Sequence, residues 1–269
     1  MNEVPSSVKV DVVMLTKNSM RPSLHETLAS VYANVPINRI IAVDGGSTDG
    51  TTEFLSGRKG VILVNDAGGT RATARQKGIE MVETEFFAFV DSDMILQTDW
   101  FTQALNLMGP GVGAISTYPK YFGTAGRVQS ALERMYRRPL KRRFDTAAAL
   151  LRTKAVEGIL IPNEDDRIPS EDEYIGRMVG RKGYEVLCVG KPVAYHQEDP
   201  HGANMVDKGR LLRAKGWRSG SYLVRQFVMS VPEGIFIAVD LRDLGAGRGR
   251  IIGSAQTLRG YLTARRTPA

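Results

Sequence analysis

Phe86-Phe87-Ala88-Phe89-Val90-Asp91-Ser92-Asp93 is an apolar run that stops abruptly at two carboxylates one residue apart. Read as a strand, it buries its aromatic and aliphatic side chains and delivers Asp91 and Asp93 to its C-terminal end, where open α/β sheets bind ligands. Alternate side chains of a strand share a face, so both carboxylates are expected to reach one hard divalent cation, Mg²⁺ or Mn²⁺, of the kind that bridges a diphosphate. Asp-x-Asp alone is a weak signal, because acidic residues are common in turns after strands. Its neighbours along the chain give it weight.

Upstream, residues 10–15 read as a buried strand running into Thr16-Lys17-Asn18, and residues 39–43 as a second strand running into Asp44-Gly45-Gly46-Ser47-Thr48-Asp49-Gly50-Thr51. Gly45, Gly46 and Gly50 permit tight turns there, and Ser47 or Thr48 is expected to cap a helix beginning near Thr51. Asp44 therefore falls at a strand end beside a helix N-terminus. Gly68-Gly69-Thr70-Arg71-Ala72-Thr73-Ala74-Arg75-Gln76-Lys77-Gly78 predicts a helix that aims Arg71 and Arg75 at an anionic ligand. Downstream, Pro169-Ser170-Glu171-Asp172-Glu173 has capping-box spacing between Ser170 and Glu173. That leaves Glu171 or Asp172 able to face the crevice at the sheet's edge.

Thr16-Lys17-Asn18, the stretch from Val43 to Thr51, Ala74-Arg75-Gln76-Lys77-Gly78, Asp91-Ser92-Asp93 and Glu171-Asp172 span most of residues 8–200. In that order and spacing they resemble the glycosyltransferase family 2 enzymes, whose fold is GT-A. The resemblance implies an α/β domain, a Rossmann-like mixed sheet flanked by helices, that takes a nucleotide-diphosphate sugar with Mn²⁺ or Mg²⁺. It puts Thr16, Asn18, Asp44, Arg71, Arg75, Asp91 and Ser92 at the donor, with Asp44 on the nucleotide base. It puts Asp91 and Asp93 on the metal, Asp172 as the general base that deprotonates the acceptor hydroxyl, and Glu171 beside the acceptor. The family often has a further acidic residue after its second aspartate. Met94 stands there in this chain, so a third ligand must come from elsewhere. His196, after an expected strand over 191–195, either supplies that imidazole or is a strand-end histidine held by ordinary hydrogen bonds.

A base on one face of the anomeric carbon and a neutralised diphosphate on the other suit direct, inverting transfer of a sugar. Paired carboxylates also serve glycosidases, but hydrolysis does not require the nucleotide-site features. A sugar-phosphate nucleotidyltransferase is the alternative enzyme, although Thr16-Lys17-Asn18 lacks the glycine-rich, basic loop such enzymes carry after the first strand. A non-catalytic nucleotide-sugar or lipid sensor is the alternative outside enzymes. Processive relatives carry Gln-x-x-Arg-Trp. Here Lys215-Gly216-Trp217-Arg218 lacks the glutamine, which favours addition of a single sugar and leaves Trp217 as a candidate to stack on an acceptor sugar.

The chain has 269 residues and is 42% hydrophobic, enough for a sizeable core without staples. Its single cysteine, Cys188, excludes an intrachain disulfide, and residues 1–7 lack a secretory pattern. The charge is uneven: residues 205–269 hold twelve Lys or Arg against four Asp or Glu, so the net +7 comes entirely from this end. We therefore divide the chain into a catalytic domain over 1–204 and a basic extension over 205–269. Basic and aromatic residues mix over 206–227, which suits an anionic membrane surface or a lipid-linked diphosphate acceptor. No nucleic-acid-binding signature accompanies them. This places the protein on the cytoplasmic face of a membrane and tilts the donor towards GDP-mannose over a UDP-sugar, by analogy with lipid-linked mannosyltransferases. Residues 234–239 are apolar but too short to cross a bilayer and read as a core strand or an interfacial helix, and Gly245-Ala246-Gly247-Arg248-Gly249-Arg250 reads as a flexible basic loop.

Overall fold

The computed structural model describes residues 8–20, 22–137, 144–163, 171–197, 205–214 and 218–264. The chain parts into two compact units, Met1–Lys120 with Arg142–Gln197 and Tyr121–Lys141 with Glu198–Ala269. The first unit carries β1 (Val10–Thr16), α1 (Pro22–Asn34), β2 (Ile37–Asp44), α2 (Thr51–Ser56), β3 (Val61–Asn65), α3 (Arg71–Glu80), β4 (Phe86–Val90), β5 (Met94–Leu96), α4 (Trp100–Leu107) and β6 (Val112–Tyr121). After α5 (Gly123–Tyr136) it resumes with β7 (Ala148–Arg152), α6 (Thr153–Val156), α7 (Glu171–Arg181) and β8 (Glu185–His196). The second unit consists of α5, α8 (Met205–Ala214), α9 (Gly220–Asp240) and α10 (Leu244–Thr263).

One eight-stranded sheet runs in the order β3-β2-β1-β4-β7-β6-β8-β5. The β3, β2, β1 and β4 strands are parallel, while β7 is antiparallel to β4 and to β6, and β5 to β8. Period-two alternation assigns the strand residues to the two sides. Val12, Met14, Ile40, Ala42, Ala88 and Val90 join the core that holds Leu24, Leu28, Trp100 and Phe101. Val13, Ile41, Val43, Phe87 and Phe89 join the core that holds Ala74, Ile175 and Val179, under α3 and α7. On this second side a Cβ at Gly78 would overlap Val13 Cγ1, so glycine lets α3 lie directly on β1.

The register aligns the ends of three parallel strands, with Thr16 beside Asp44 and Asp44 beside Asn65. Because β7 is antiparallel, its beginning arrives at the same edge, with Ala148 paired to Val90. The loops after β1, β2, β3 and β4 and the segment before β7 therefore share one rim, which is the edge expected to bind ligand.

Three expectations are corrected. The strand expected over 191–195 is the end of a longer strand, β8. Helix α2 begins at Thr51 as expected, but its N-cap is Gly50 at φ 91° with no side-chain cap; Ser47 turns to Asp44 instead. The segment Tyr121–Lys141 groups with the C-terminal helices in the second unit. There Ala131 and Leu132 of α5 pack with Ile237 of α9, and Arg134 pairs with Asp240. Lastly, residues 245–250 are helical, not a loop; residues 234–239, left open between strand and helix, belong to the 21-residue helix α9. Glycine is tolerated in both helices because α9 and α10 cross closely: a Cβ at Gly234 would meet the Gly247 carbonyl, and one at Gly247 the Gly234 carbonyl.

Candidate active site

The two carboxylates that follow β4 lie in a turn, and the shared strand face expected for them is corrected. The Asp91 N–H donates to the Ala147 carbonyl at 2.9 Å, which prolongs the β4–β7 pairing by one residue. The Met94 N–H then donates to the Asp91 carbonyl at 3.1 Å and closes the turn. Met94 starts β5 opposite His196 of β8, and the Gln197 N–H donates to the Asp93 carbonyl at 2.9 Å. As a result the carboxylates have different neighbours: Asp93 Oδ2 lies 3.7 Å from His196 Nε2, whereas both Asp91 oxygens face Arg75 Nη2, at 3.1 and 3.5 Å.

Among the described residues, no three His, Cys, Asp or Glu side chains are gathered into a metal cage. The donors at the rim still fit a hard divalent cation in kind, since the half-buried Asp93 offers carboxylate oxygen with the His196 imidazole beside it. His196, left open between two roles by the sequence, thus stands next to the second aspartate of Asp-x-Asp.

Arg75 is the hub of the site. It occupies the second turn of α3 on the side facing the sheet, and its side chain is only 3% exposed. The guanidinium carbon lies 5.0 Å from the centre of the Phe89 ring, so the same apolar strand that leads to Asp91 also floors the arginine. Its Nε is 3.5 Å from Asp172 Oδ1 and 3.6 Å from Glu171 Oε1, both in the first turn of α7. One buried cation therefore faces three carboxylates. The Arg75 pKa is raised further by them: burial opposes its charge, but Asp91, Asp172 and Glu171 outweigh that opposition.

Asp172 is the carboxylate whose chemistry this alters most. Burial is the largest influence on it, and the nearby Glu171 and Asp145 charges act in the same direction; Arg75 and the hydroxyl of Thr146, which donates to Asp172 Oδ1, oppose them. The balance pushes its pKa up to about 8. Its side chain is still 25% exposed, so it can reach a ligand at the rim. A carboxyl group held in this range is a proton acceptor matched to near-neutral pH. Glu171, by contrast, is buried against Arg75.

Asp44 is saturated by its own loop. Its Oδ1 accepts from Thr16 Oγ1 at 2.9 Å and Ser47 Oγ at 2.5 Å, and its Oδ2 from the N–H groups of Gly46 at 3.0 Å and Ser47 at 2.8 Å. Burial pushes the Asp44 pKa up, but these four donors outweigh it and hold the carboxyl below its usual range. Asp44 and Thr16 thus fix the loop that would present a nucleotide, and a base contact by Asp44 requires exchanging one of these bonds. Asn18, at φ 51°, accepts from the Thr48 N–H at 2.8 Å, and Ser92 bonds Ser19 at 2.9 Å, so both tie neighbouring rim loops together. Arg71 is the exposed first residue of α3.

Of the other residues singled out in the sequence, Pro169, Ser170 and Trp217 lie outside the described residues. Sequence reasoning missed Asp145 and Thr146. Their signal was an acid–hydroxyl pair directly before an apolar strand, and it becomes informative only once that strand is known to run antiparallel and to start at the rim.

The sequence model of the family Glycosyl transferase family 2 matches residues 11–157, more than half of the chain. No curated protein matches by sequence. Among solved structures, the chain is similar to the mannosyltransferase PcManGT from Pyrobaculum calidifontis in complex with GDP-Man and Mn²⁺, at 16% identity over 97% of this chain and 76% of that one, with a TM-score of 0.55. It is similar to S. aureus TarS 1-349 in complex with UDP, at 17% identity over 94% of this chain and 90% of that one, TM-score 0.57. Glucosyl-3-phosphoglycerate synthase from Mycobacterium tuberculosis, in complex with Mn²⁺, UDP and phosphoglyceric acid, shares 17% identity over 72% of each chain, TM-score 0.52. At these identities the likeness is one of fold.

Proposed function

Since the chain belongs to glycosyl transferase family 2 and is a glycosyltransferase of GT-A fold, we propose that it moves one sugar from a nucleotide-diphosphate sugar to a hydroxyl of a lipid-linked or glycan acceptor, with inversion. The observation that carries this reading is the buried Arg75 between Asp91, at the end of β4, and Asp172, at the start of α7. It joins a donor-side carboxylate to a candidate base across the rim.

Asp172 accepts the proton of the acceptor hydroxyl as that oxygen bonds to the anomeric carbon, and the bond from that carbon to the diphosphate breaks on the opposite face. Thr146 and Arg75 orient the Asp172 carboxylate, and Arg75 stabilises its ionised form. Thr16, Ser47 and Asp44 hold the nucleotide-side loop in shape. Asp93, with His196 and Asp91, would hold a Mn²⁺ or Mg²⁺ ion, whose contribution when bound is to neutralise the diphosphate leaving group. A donor of the GDP-mannose type is favoured by the fold it shares with a mannosyltransferase in complex with GDP-Man, and a UDP-sugar by the relatives in complex with UDP.

A thermal-shift panel of GDP, UDP, GDP-mannose and UDP-sugars, each with and without Mn²⁺, tests the donor, because a ligand that binds only the folded state raises its melting temperature by mass action. A Mn²⁺-dependent shift with one nucleotide series is expected. A chain that shifts with none of them, and releases no nucleoside diphosphate in the presence of candidate acceptors, would overturn the assignment.

A further inference from the structure

We propose that α9 rests on an anionic membrane surface through a stripe of exposed aliphatic side chains. Val224, Val228, Val231, Ile235 and Val239 are all exposed. Their spacing keeps them within an arc of about 80° and extends the stripe over about 22 Å, given roughly 100° and 1.5 Å per residue. The helix buries its other side, Leu223, Ser230, Glu233, Gly234 and Ile237, so the stripe is not used in holding the unit together. Scattered exposed aliphatics are ordinary on a soluble surface, but five aligned along one helix are a docking face.

The charges around the stripe select its occupant. Three carboxylates of the C-terminal helices are already engaged: Glu233 with Arg250 at 2.6 Å, Asp243 with Arg127 at 3.4 Å, and Asp240 with Arg134. Arg218 just before α9, Arg225 on its flank and Arg242 just after it have no carboxylate partner among the described residues; Arg218 stacks on Tyr222. A second copy docked on this face would bring like charges together, whereas anionic headgroups neutralise them while the acyl chains receive the valines and isoleucine.

By length and composition α9 is also sufficient to cross a bilayer, with 21 residues and an 18-residue stretch of mean hydropathy 1.3. Its packing favours lying flat. Glu233, near the middle of the helix, is paired with Arg250 of α10 and accepts from the Tyr136 hydroxyl of α5, so α9 is tied sideways to two polar partners and has one face left for lipid.

The surface is read from the second unit alone and stands independently of the transfer reaction. The test is cosedimentation of the full chain with vesicles of phosphatidylcholine alone and of phosphatidylcholine mixed with phosphatidylglycerol. Binding to the mixed vesicles is expected. Val228→Gln with Ile235→Gln should weaken it by about tenfold or more, since each side chain loses most of its apolar transfer energy. Arg218→Gln, Arg225→Gln and Arg242→Gln together should remove the preference for phosphatidylglycerol and the sensitivity to salt. Val228, Ile235, Arg225 and Arg242 are exposed and Arg218 is partly so, stacked on the exposed Tyr222, so melting temperature and the nucleotide-induced shift should be nearly unchanged in both variants. Absence of binding to the mixed vesicles, binding untouched by the valine and isoleucine changes, or a dimer in solution that those changes convert to monomer would each overturn the proposal.

Discussion

Arg75 Nε lies 3.5 Å from Asp172 Oδ1, and the same guanidinium reaches Asp91 Oδ1 through Nη2 at 3.1 Å. Two carboxylates assigned to opposite substrates are thus attached to one cation with almost no exposure to water. Charge interactions there are screened far less than at the surface, so a change at one carboxylate is felt at the other. Arg75→Gln should remove the largest influence that keeps Asp172 ionised and shift the acid limb of the kcat/KM pH profile upward from its position near about 8. Arg75→Lys, which keeps the charge, should return the limb most of the way. An unshifted limb in a folded Arg75→Gln enzyme would detach Arg75 from the base.

Asp172→Asn keeps the shape and an acceptor for Thr146 but cannot take a proton at neutral pH. Transfer should fall by about 10²–10⁴-fold, while the donor-induced thermal shift persists. Equal loss of donor affinity would mark the residue as structural.

The same substitution has a stability signature. Because folding raises the Asp172 pKa from 3.8 to about 8, the folded state holds a proton that the unfolded chain has released between those values. The resulting stabilisation is complete below the unfolded pKa and is lost as pH rises through about 8. Asp172→Asn should therefore flatten the fall of melting temperature across this range and melt higher than wild type at the alkaline end. A difference of only 1 kcal/mol would be readable, at about 2–4 °C for a chain of this size. Parallel curves for the two proteins would show that the carboxyl is not held protonated by the fold.

Asp93→Ala should abolish the Mn²⁺-dependent part of nucleotide binding and leave the melting temperature of the free protein nearly unchanged, since its side chain is partly exposed at the rim. His196→Ala should weaken the Mn²⁺ response in the same assay. Full metal dependence in the Asp93→Ala protein would move the metal site elsewhere.

The parallel half of the sheet was legible because its strands are written as uninterrupted apolar runs, such as 86–90, that end in polar loops. The order of those loops also indicated which residues share the rim. What the sequence concealed depends on partners distant in the chain. The turn at Asp91–Asp93 is set by the Ala147 carbonyl and by β8, and Arg75 has its place because Gly78 lets α3 lie on Val13. Asp145 and Thr146 gained meaning only from the antiparallel direction of β7. The glycines of 245–250 looked like a loop because local propensity opposes helix there, and close packing against α9 reverses that preference.

Asp44 supplies a prediction at the other end of the pH scale. Burial raises its pKa, but the hydrogen bonds from Ser47, Thr16 and Gly46 lower it by more, so the net shift is downward. A group with a depressed folded pKa contributes stability that is present above its unfolded value, 3.8, and is lost as pH falls through the folded one. Asp44→Asn should remove this contribution at neutral pH, because an amide nitrogen turned towards the Thr16 and Ser47 hydroxyls or towards the Gly46 and Ser47 N–H groups leaves buried donors unmatched. The expected cost is about 1–3 kcal/mol. Acid unfolding of wild type and Asp44→Asn should therefore converge below pH 3.8, with the two proteins well separated at neutral pH. Nucleotide binding distinguishes the two roles considered for Asp44. If it only anchors the loop, Ser47→Ala, which also breaks a bond to Oδ1, should weaken nucleotide binding and stability together, and Asp44→Asn should lie on the same trend. A loss of nucleotide binding in Asp44→Asn well beyond that trend would show the carboxylate giving up a loop bond to contact the base itself.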